Sequence, residues 1–145
     1  MREIKFKGQQ LSNGDWIVGD LNHLVDGVYI SNDNGNNMAQ VNPDTVCQFT
    51  GFLDKNGKDI YECDILRSYK YPFSCMEDGE RDNYFGIIEW SNEEAMFVLT
   101  CVKNPKSSVR GISDGISDEI TQQKLDGFEI VGDIHNTEWK SKLNL

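Results

Sequence analysis

The residues that could bind a metal ion or act as nucleophiles are four cysteines and two histidines. They are Cys47, Cys63, Cys75, Cys101, His23 and His135. Zinc sites usually pair ligands about two to four residues apart and need roughly three or four ligands in all. No two of these residues stand that close, and sequence spacing alone indicates no Cys–His catalytic pair. We therefore expect core thiols and surface imidazoles, with no metal, no cofactor and a reducing, cytosolic setting.

Carboxylates form two clusters in the sequence, and paired carboxylates can act in general acid–base catalysis. The first is Asp54, Asp59, Glu62 and Asp64; the second is Glu77, Asp78, Glu80 and Asp82. The second cluster lies in a polar stretch and is typical of a solvated run. Glu62 and Asp64 instead flank apolar residues, where a carboxylate either accepts hydrogen bonds from the amides of the adjacent turn or serves in a catalytic pair. We expect the structural role and no enzymatic activity.

Aromatic residues at Trp16, Trp90 and Phe97 could stack nucleic-acid bases, but each sits among apolar residues, so we predict core packing. Lys103, Lys106 and Arg110 form a small positive cluster in a loop-like stretch. The formal net charge of −10 opposes binding to phosphate backbones. It fits a solubilising surface, an acidic face for a basic partner, or a mimic of DNA. Glycine-rich nucleotide-binding loops are absent from the sequence.

The stretch 49–66 holds the clearest hairpin signal. Two apolar runs, 49–53 and 60–66, flank Asn56-Gly57. This dipeptide is typical of a type I′ turn, which needs positive φ at both central residues. Alternation in the second run places Glu62 and Asp64 with apolar residues, which predicts a local break or bulge near 62–64.

Short strands follow from alternating or apolar runs elsewhere in the chain. They are 3–6, 16–21, 28–30, 38–41, 84–90, 95–102 and 128–134. The stretch 68–83 reads as a long polar excursion between strands, and 136–145 as a terminal helix or a loose end. Residues 117–125 predict two helical turns with Ser117 as N-cap. Ile65, Ile88, Trp90 and Val131 are the expected core residues.

Five segments of the chain resemble the YopX family of small phage and prophage proteins. They are REIKFKG, NGDWIVGDL (13–21), FTGFLDKNGKDIYECDIL (49–66), GIIEW (86–90) and FEIVGDIHN (128–136). The shared pattern is F-T-G-x-x-D-x-x-G-x-x-I-Y-E-G-D-I. Cys63 departs from it, because the pattern has glycine there, and a required positive φ would strain a cysteine. The HNTEWKSKL ending also departs. The resemblance implies a β-rich fold whose central part is similar to an SH3-type barrel, with no known enzymatic activity or catalytic residues.

Together these observations predict a mainly β protein with little helix: an N-terminal β meander over 1–48 and an SH3-like barrel over 49–145. The predicted function is a non-enzymatic binding module for a host or phage protein, with a nucleic-acid-related role as the alternative. The beginning of the chain has no apolar secretory segment, and no apolar run reaches the roughly 18 residues of a membrane span. We therefore expect a cytoplasmic protein, and exposed strand edges leave homo-oligomers open.

Overall fold

A computed structural model of the chain describes residues 1–68, 84–102, 117–143 and 145. The chain divides into two compact units, Met1–Gly51 and Phe52–Leu145. Within the described residues the structure is mainly β, with antiparallel strand pairs and short helices. The predicted fold class is confirmed at this level.

The first unit is an antiparallel sheet with strand order β4-β3-β2-β1-β5. Its strands are β1 (Phe6–Gln9), β2 (Trp16–Leu24), β3 (Gly27–Asn32), β4 (Asn37–Val41) and β5 (Cys47–Leu53). The first strand begins at residue 6 rather than at the predicted residue 3. Its four residues pair with β2 from Phe6 opposite Gly19 to Gln9 opposite Trp16. The division predicted after residue 48 falls inside β5.

One face of this sheet carries its core. Ile17, Ile30 and Val41 are buried there, and Phe6, Leu21, Val28, Ala39 and Val46 pack against them. Because successive side chains of a strand point to opposite faces, Ile17 is buried while the next residue, Val18, is 40% exposed.

The second unit contains a five-stranded antiparallel sheet with order β10-β9-β8-β7-β11. The remaining strands are β6 (Asp59–Tyr61), β7 (Asp64–Ser68), β8 (Tyr84–Ser91), β9 (Met96–Val102), β10 (Ser117–Glu119) and β11 (Glu129–Asp133). Two helices complete it, α1 (Gln122–Leu125) and α2 (Thr137–Leu143). In the described residues neither sheet closes into a barrel, since β10 and β11 end the second one. The SH3-like barrel is therefore not confirmed.

Both faces of the second sheet are covered, which explains its continuous apolar runs. Leu66 and Ile88 pack on one face with Leu125 and Phe128. Ile65 and Ile87 pack on the other face with Leu143 of α2. Adjacent residues of one strand therefore enter two different cores.

The 54–58 turn is not the predicted type I′ turn. Gly57 has φ of +78°, but Asn56 is not among the described residues with positive φ. Gly57 N–H donates to Asp54 O at 3.0 Å and Asp54 N–H donates to Lys58 O at 2.8 Å. This pattern fits a three-residue loop, in which a type I turn is followed by a left-handed glycine.

The predicted helix over 117–125 is largely wrong. Residues Ser117–Glu119 form β10 along β9, and only Gln122–Leu125 are helical. Thr121, not Ser117, is the N-cap, and its Oγ1 accepts a hydrogen bond from Lys124 N–H at 3.2 Å. Pairing with an available sheet edge outweighs the local capping signal of Ser117. The tail does form a helix, α2, before which Asn136 Oδ1 accepts from Glu138 N–H at 2.9 Å.

Three of the four predicted core residues are buried or partly buried, and one is exposed. Ile65 and Ile88 are fully buried, and Val131 is partly buried against Ile65 and its neighbours. Trp90 is 46% exposed, so its assignment to the core is wrong. The excursion beyond Ser68, its acidic cluster, Cys75 and the Lys103–Lys106–Arg110 cluster lie outside the described residues. Across the described part of the chain, no helix has the length and apolar character needed to cross a membrane.

Candidate functional site

Asp54 anchors the turn that follows β5. Its side chain is 3% exposed. One carboxylate oxygen, Oδ1, accepts from Asn56 N–H at 2.8 Å and from Lys58 N–H at 2.9 Å. The other, Oδ2, accepts from Ile130 N–H at 3.1 Å. Burial opposes ionisation, but these three backbone donors and the nearby Lys58 outweigh it and lower the pKa of Asp54. The carboxylate therefore holds a turn and β11 together.

Asp64 has a similar role at the break between β6 and β7. It is 2% exposed, and its Oδ2 accepts a hydrogen bond from Tyr61 N–H at 2.8 Å. A carboxylate that accepts a backbone N–H across a turn stabilises that turn. This contact confirms the structural role predicted for one of the acids at this break, and also confirms the break itself.

Cys63 occupies the same break in a left-handed conformation, with φ of +69°. Its N–H donates to Ile88 O at 2.7 Å, and its carbonyl accepts from Ile134 N–H at 3.0 Å. The position therefore does require positive φ, as the comparison with glycine anticipated. A side chain in this region costs about 1 kcal/mol relative to glycine.

His135 lies beside Cys63, although 71 residues separate them in the sequence. The Cys63 sulfur and a ring nitrogen of His135 lie within 4.8 Å of each other, and both residues are half-buried. The hydrogen bond from Ile134 N–H to Cys63 O brings the two together. Local spacing missed this pair because strand pairing, not sequence proximity, forms it. A thiolate and an imidazole can both bind zinc.

An aromatic pair lies at the far end of the β8–β9 hairpin: Trp90 is exposed, whereas Phe97 is partly buried and packs against the core, as predicted. Trp90 and Phe97 are directly opposite in the strand register. Their ring centroids are 5.1 Å apart at an interplanar angle of 76°, the edge-to-face arrangement that aromatic pairs prefer. Glu93 and Glu94 are exposed at the hairpin tip. We call these four residues the hairpin-tip surface. Trp16, the third predicted stacking residue, lies in the first unit beneath Lys7 Nζ, 4.9 Å from the ring centroid.

An ion-pair cluster joins β7 to β11. The Arg67 guanidinium donates to Glu129, with Nε at 2.9 Å from Oε1. Lys55 Nζ lies 3.6 Å from the other oxygen of Glu129. The hydrogen bond from Arg67 and the charges of Arg67 and Lys55 outweigh burial and lower the pKa of Glu129. The cluster reads as a cross-strand support.

The comparison with known families agrees with the sequence pattern. Residues 2–138 match the family profile described as YopX protein. The chain is similar to a solved structure titled "Crystal structure of protein EF1440 from Enterococcus faecalis", with 16% identity and a TM-score of 0.49. That alignment covers 93% of this chain and 95% of the other. No curated protein matches the chain. The chain belongs to the YopX family, because the family match extends over nearly its whole length.

Proposed function

We propose that this protein is a non-enzymatic binding module that engages a host or phage protein in the bacterial cytoplasm. The phage setting and a likeness of the second unit to SH3-type barrels come from the family resemblance and form part of the proposal. The hairpin-tip surface is the feature of the structure that supports it most directly.

Trp90 is the observation that carries the proposal. It is 46% exposed at the end of a hairpin whose inner residue Ile88 is fully buried. Tryptophan is enriched among the residues that dominate binding energy at protein interfaces. A ring held edge-to-face by Phe97 loses little conformational freedom on binding. It therefore suits the role of a rigid anchor.

Charge indicates the kind of partner. Glu93 and Glu94 are exposed in the turn between Trp90 and Phe97, and the whole chain carries a formal net charge of −10. Complementary potentials steer association and disfavour partners of like charge. A basic protein surface with an arginine or lysine able to lie over Trp90 fits best.

The non-enzymatic character is supported by how the buried acids are used. Three of the hydrogen bonds of Asp54 and at least one of Asp64 come from backbone N–H groups. A general acid or base needs a pKa near the working pH and access to the substrate. The lowered pKa of Asp54 moves away from that range.

The experiment is affinity capture of the tagged full chain from phage-infected host lysate, with and without nuclease. Trp90→Ala is compared with Leu53→Ala, a matched exposed apolar residue of the same unit. We expect wild type and Leu53→Ala to retain a stoichiometric protein after nuclease, and Trp90→Ala to lose it. If Trp90→Ala captured the partner as well as wild type does, the hairpin-tip surface would not be the binding surface. Recovery that vanishes with nuclease would favour the nucleic-acid-related alternative, including an acidic mimic of DNA.

A further inference from the structure

We propose that Cys63 and His135 form a binding site for a soft divalent cation, with zinc as the best fit. This goes beyond the binding-module function and does not depend on it. The starting observation is that one ligand atom from each residue lies within 4.8 Å of the other in the second unit.

The separation suits one ion bound to both residues. Zinc binds about 2.3 Å from a cysteine sulfur and about 2.0 Å from a histidine nitrogen. An ion placed between the two atoms can therefore reach both after at most a small rotation of the side chains. The pair supplies two ligands of a four-coordinate ion and leaves the other positions to further ligands.

The backbone preorganises the pair. Cys63 is hydrogen-bonded on both sides, through its N–H to Ile88 O and through its carbonyl to Ile134 N–H. His135 N–H in turn donates to Asp133 Oδ1 at 2.8 Å. These bonds hold the two Cα positions without help from the ion. A site whose ligands are already positioned loses little conformational entropy when it binds.

The conformation of Cys63 is an independent reason to suspect function. It is one of four described non-glycine residues with positive φ, the others being Asp33, Asn34 and Ala95. Such strain persists where the surrounding structure overdetermines it, and it clusters at ligand sites. Glycine would occupy this turn without strain but would remove the Cys63 sulfur.

The local charge favours a cation. Glu62 and Asp64 flank Cys63 in the sequence, and Asp133 contacts the backbone of His135. On binding, the Cys63 S–H bond breaks, the proton passes to solvent and the sulfur donates an electron pair to the metal. Neutral His135 donates its nitrogen lone pair. No atom changes oxidation state, so neither an oxidant nor a reductant is needed.

The test is a Co²⁺ titration of the reduced full chain, read by the near-ultraviolet absorption of thiolate bound to cobalt, followed by displacement with Zn²⁺. Cys101→Ser is the matched control. Cys101 is a buried thiol of the same unit, and its burial, with the nearby charge of Asp118, raises its pKa to about 11. We expect the band in wild type and Cys101→Ser, its loss in Cys63→Ser, and affinity lower by about tenfold or more in His135→Gln.

Cys63→Gly separates metal binding from folding. Glycine relieves the strain at φ of +69°, so this variant keeps the fold and must nevertheless lose the band. No band in wild type, or a band that survives Cys63→Gly, would overturn the site. Affinity unchanged in His135→Gln would overturn the pairing of the two residues.

Discussion

Two turns of the second unit each place one residue in the left-handed conformation, but the two turns use different residues there. The 54–58 turn places Gly57 at φ of +78°, and the 62–63 turn places Cys63 at φ of +69°. Each turn is held by a buried aspartate, Asp54 or Asp64, whose carboxylate accepts hydrogen bonds from backbone N–H groups. In the first turn this residue is glycine, which adopts the conformation without strain. In the second turn it is Cys63, which is strained there but supplies a thiol.

The comparison separates what a turn needs in order to fold from what it carries in addition. The carboxylates supply the folding requirement in both turns, because they satisfy amides that the turn withdraws from the strand ladder. The left-handed residue is then a choice between glycine, which costs least, and a side chain with some other use. Cys63 lies beside His135, whereas a side chain added at Gly57 would meet nothing within 4 Å.

The largest effect is expected from Asp54→Ala. It leaves three N–H donors without their carboxylate, at a residue that is 3% exposed. Losses of about 1–3 kcal/mol per unsatisfied buried group indicate destabilisation of about 3 kcal/mol or more. Urea unfolding of the full chain measures it, with Glu93→Ala at the exposed hairpin tip as the control. A change below 1 kcal/mol would show that water replaces the carboxylate.

Acid should weaken the same turn by a smaller amount, because protonation keeps the side chain in place. The folded-state pKa of Asp54 is lowered from 3.8, and that of Glu129 from 4.5. Their contribution is therefore complete above these unfolded values and is lost as the pH falls through the lower folded ones. Unfolding free energies measured from pH 6 down to pH 2 should fall below about pH 4.5. Asp54→Asn should flatten part of that slope, and an unchanged slope would contradict the assignment.

Gly57→Ala tests how much a side chain at positive φ destabilises a turn of this kind. The added methyl group has space, since nothing lies within 4 Å of it, but the residue keeps its positive φ. We expect a loss of about 1 kcal/mol in unfolding free energy, due to backbone strain alone. Gly127→Ala is a useful control, because its φ does not lie in the left-handed region and its added methyl group would meet Lys124 O at 3.7 Å, an ordinary contact. Equal losses in the two variants would mean that strain at Gly57 is not the cause.

Cys63→Gly should have the smallest effect and the opposite sign. Relief of strain favours the folded state, while the greater freedom of glycine in the unfolded chain offsets part of the gain. The expected net stabilisation is about 0.5 kcal/mol in metal-free buffer, measured by urea unfolding with a chelator present. Destabilisation by more than 1 kcal/mol would show that the Cys63 side chain contributes packing that outweighs its strain.

Much of this architecture followed from local pattern. The apolar run in 16–21 and the second arm of the central hairpin, 60–66, predicted strands, because short apolar runs bounded by turn residues are typical of strands. The break near 62–64 was also predictable, since an acid in an apolar strand must find donors. The sequence pattern wrongly placed Trp90 in the core. A large aromatic residue on a strand gives the same signal whether it lies at the centre of a hairpin or at its exposed end.

The sequence by itself determined most of the strands, the break at 62–64 and, through its long motif, the family. Tertiary structure decided that Ser117–Glu119 pair with β9, that Trp90 stays exposed and that Cys63 meets His135. The physical reason is the range of the interactions. Alternation, turn chemistry and motif act over a few residues, whereas edge pairing and the placement of a thiol beside an imidazole depend on contacts between residues far apart in the chain.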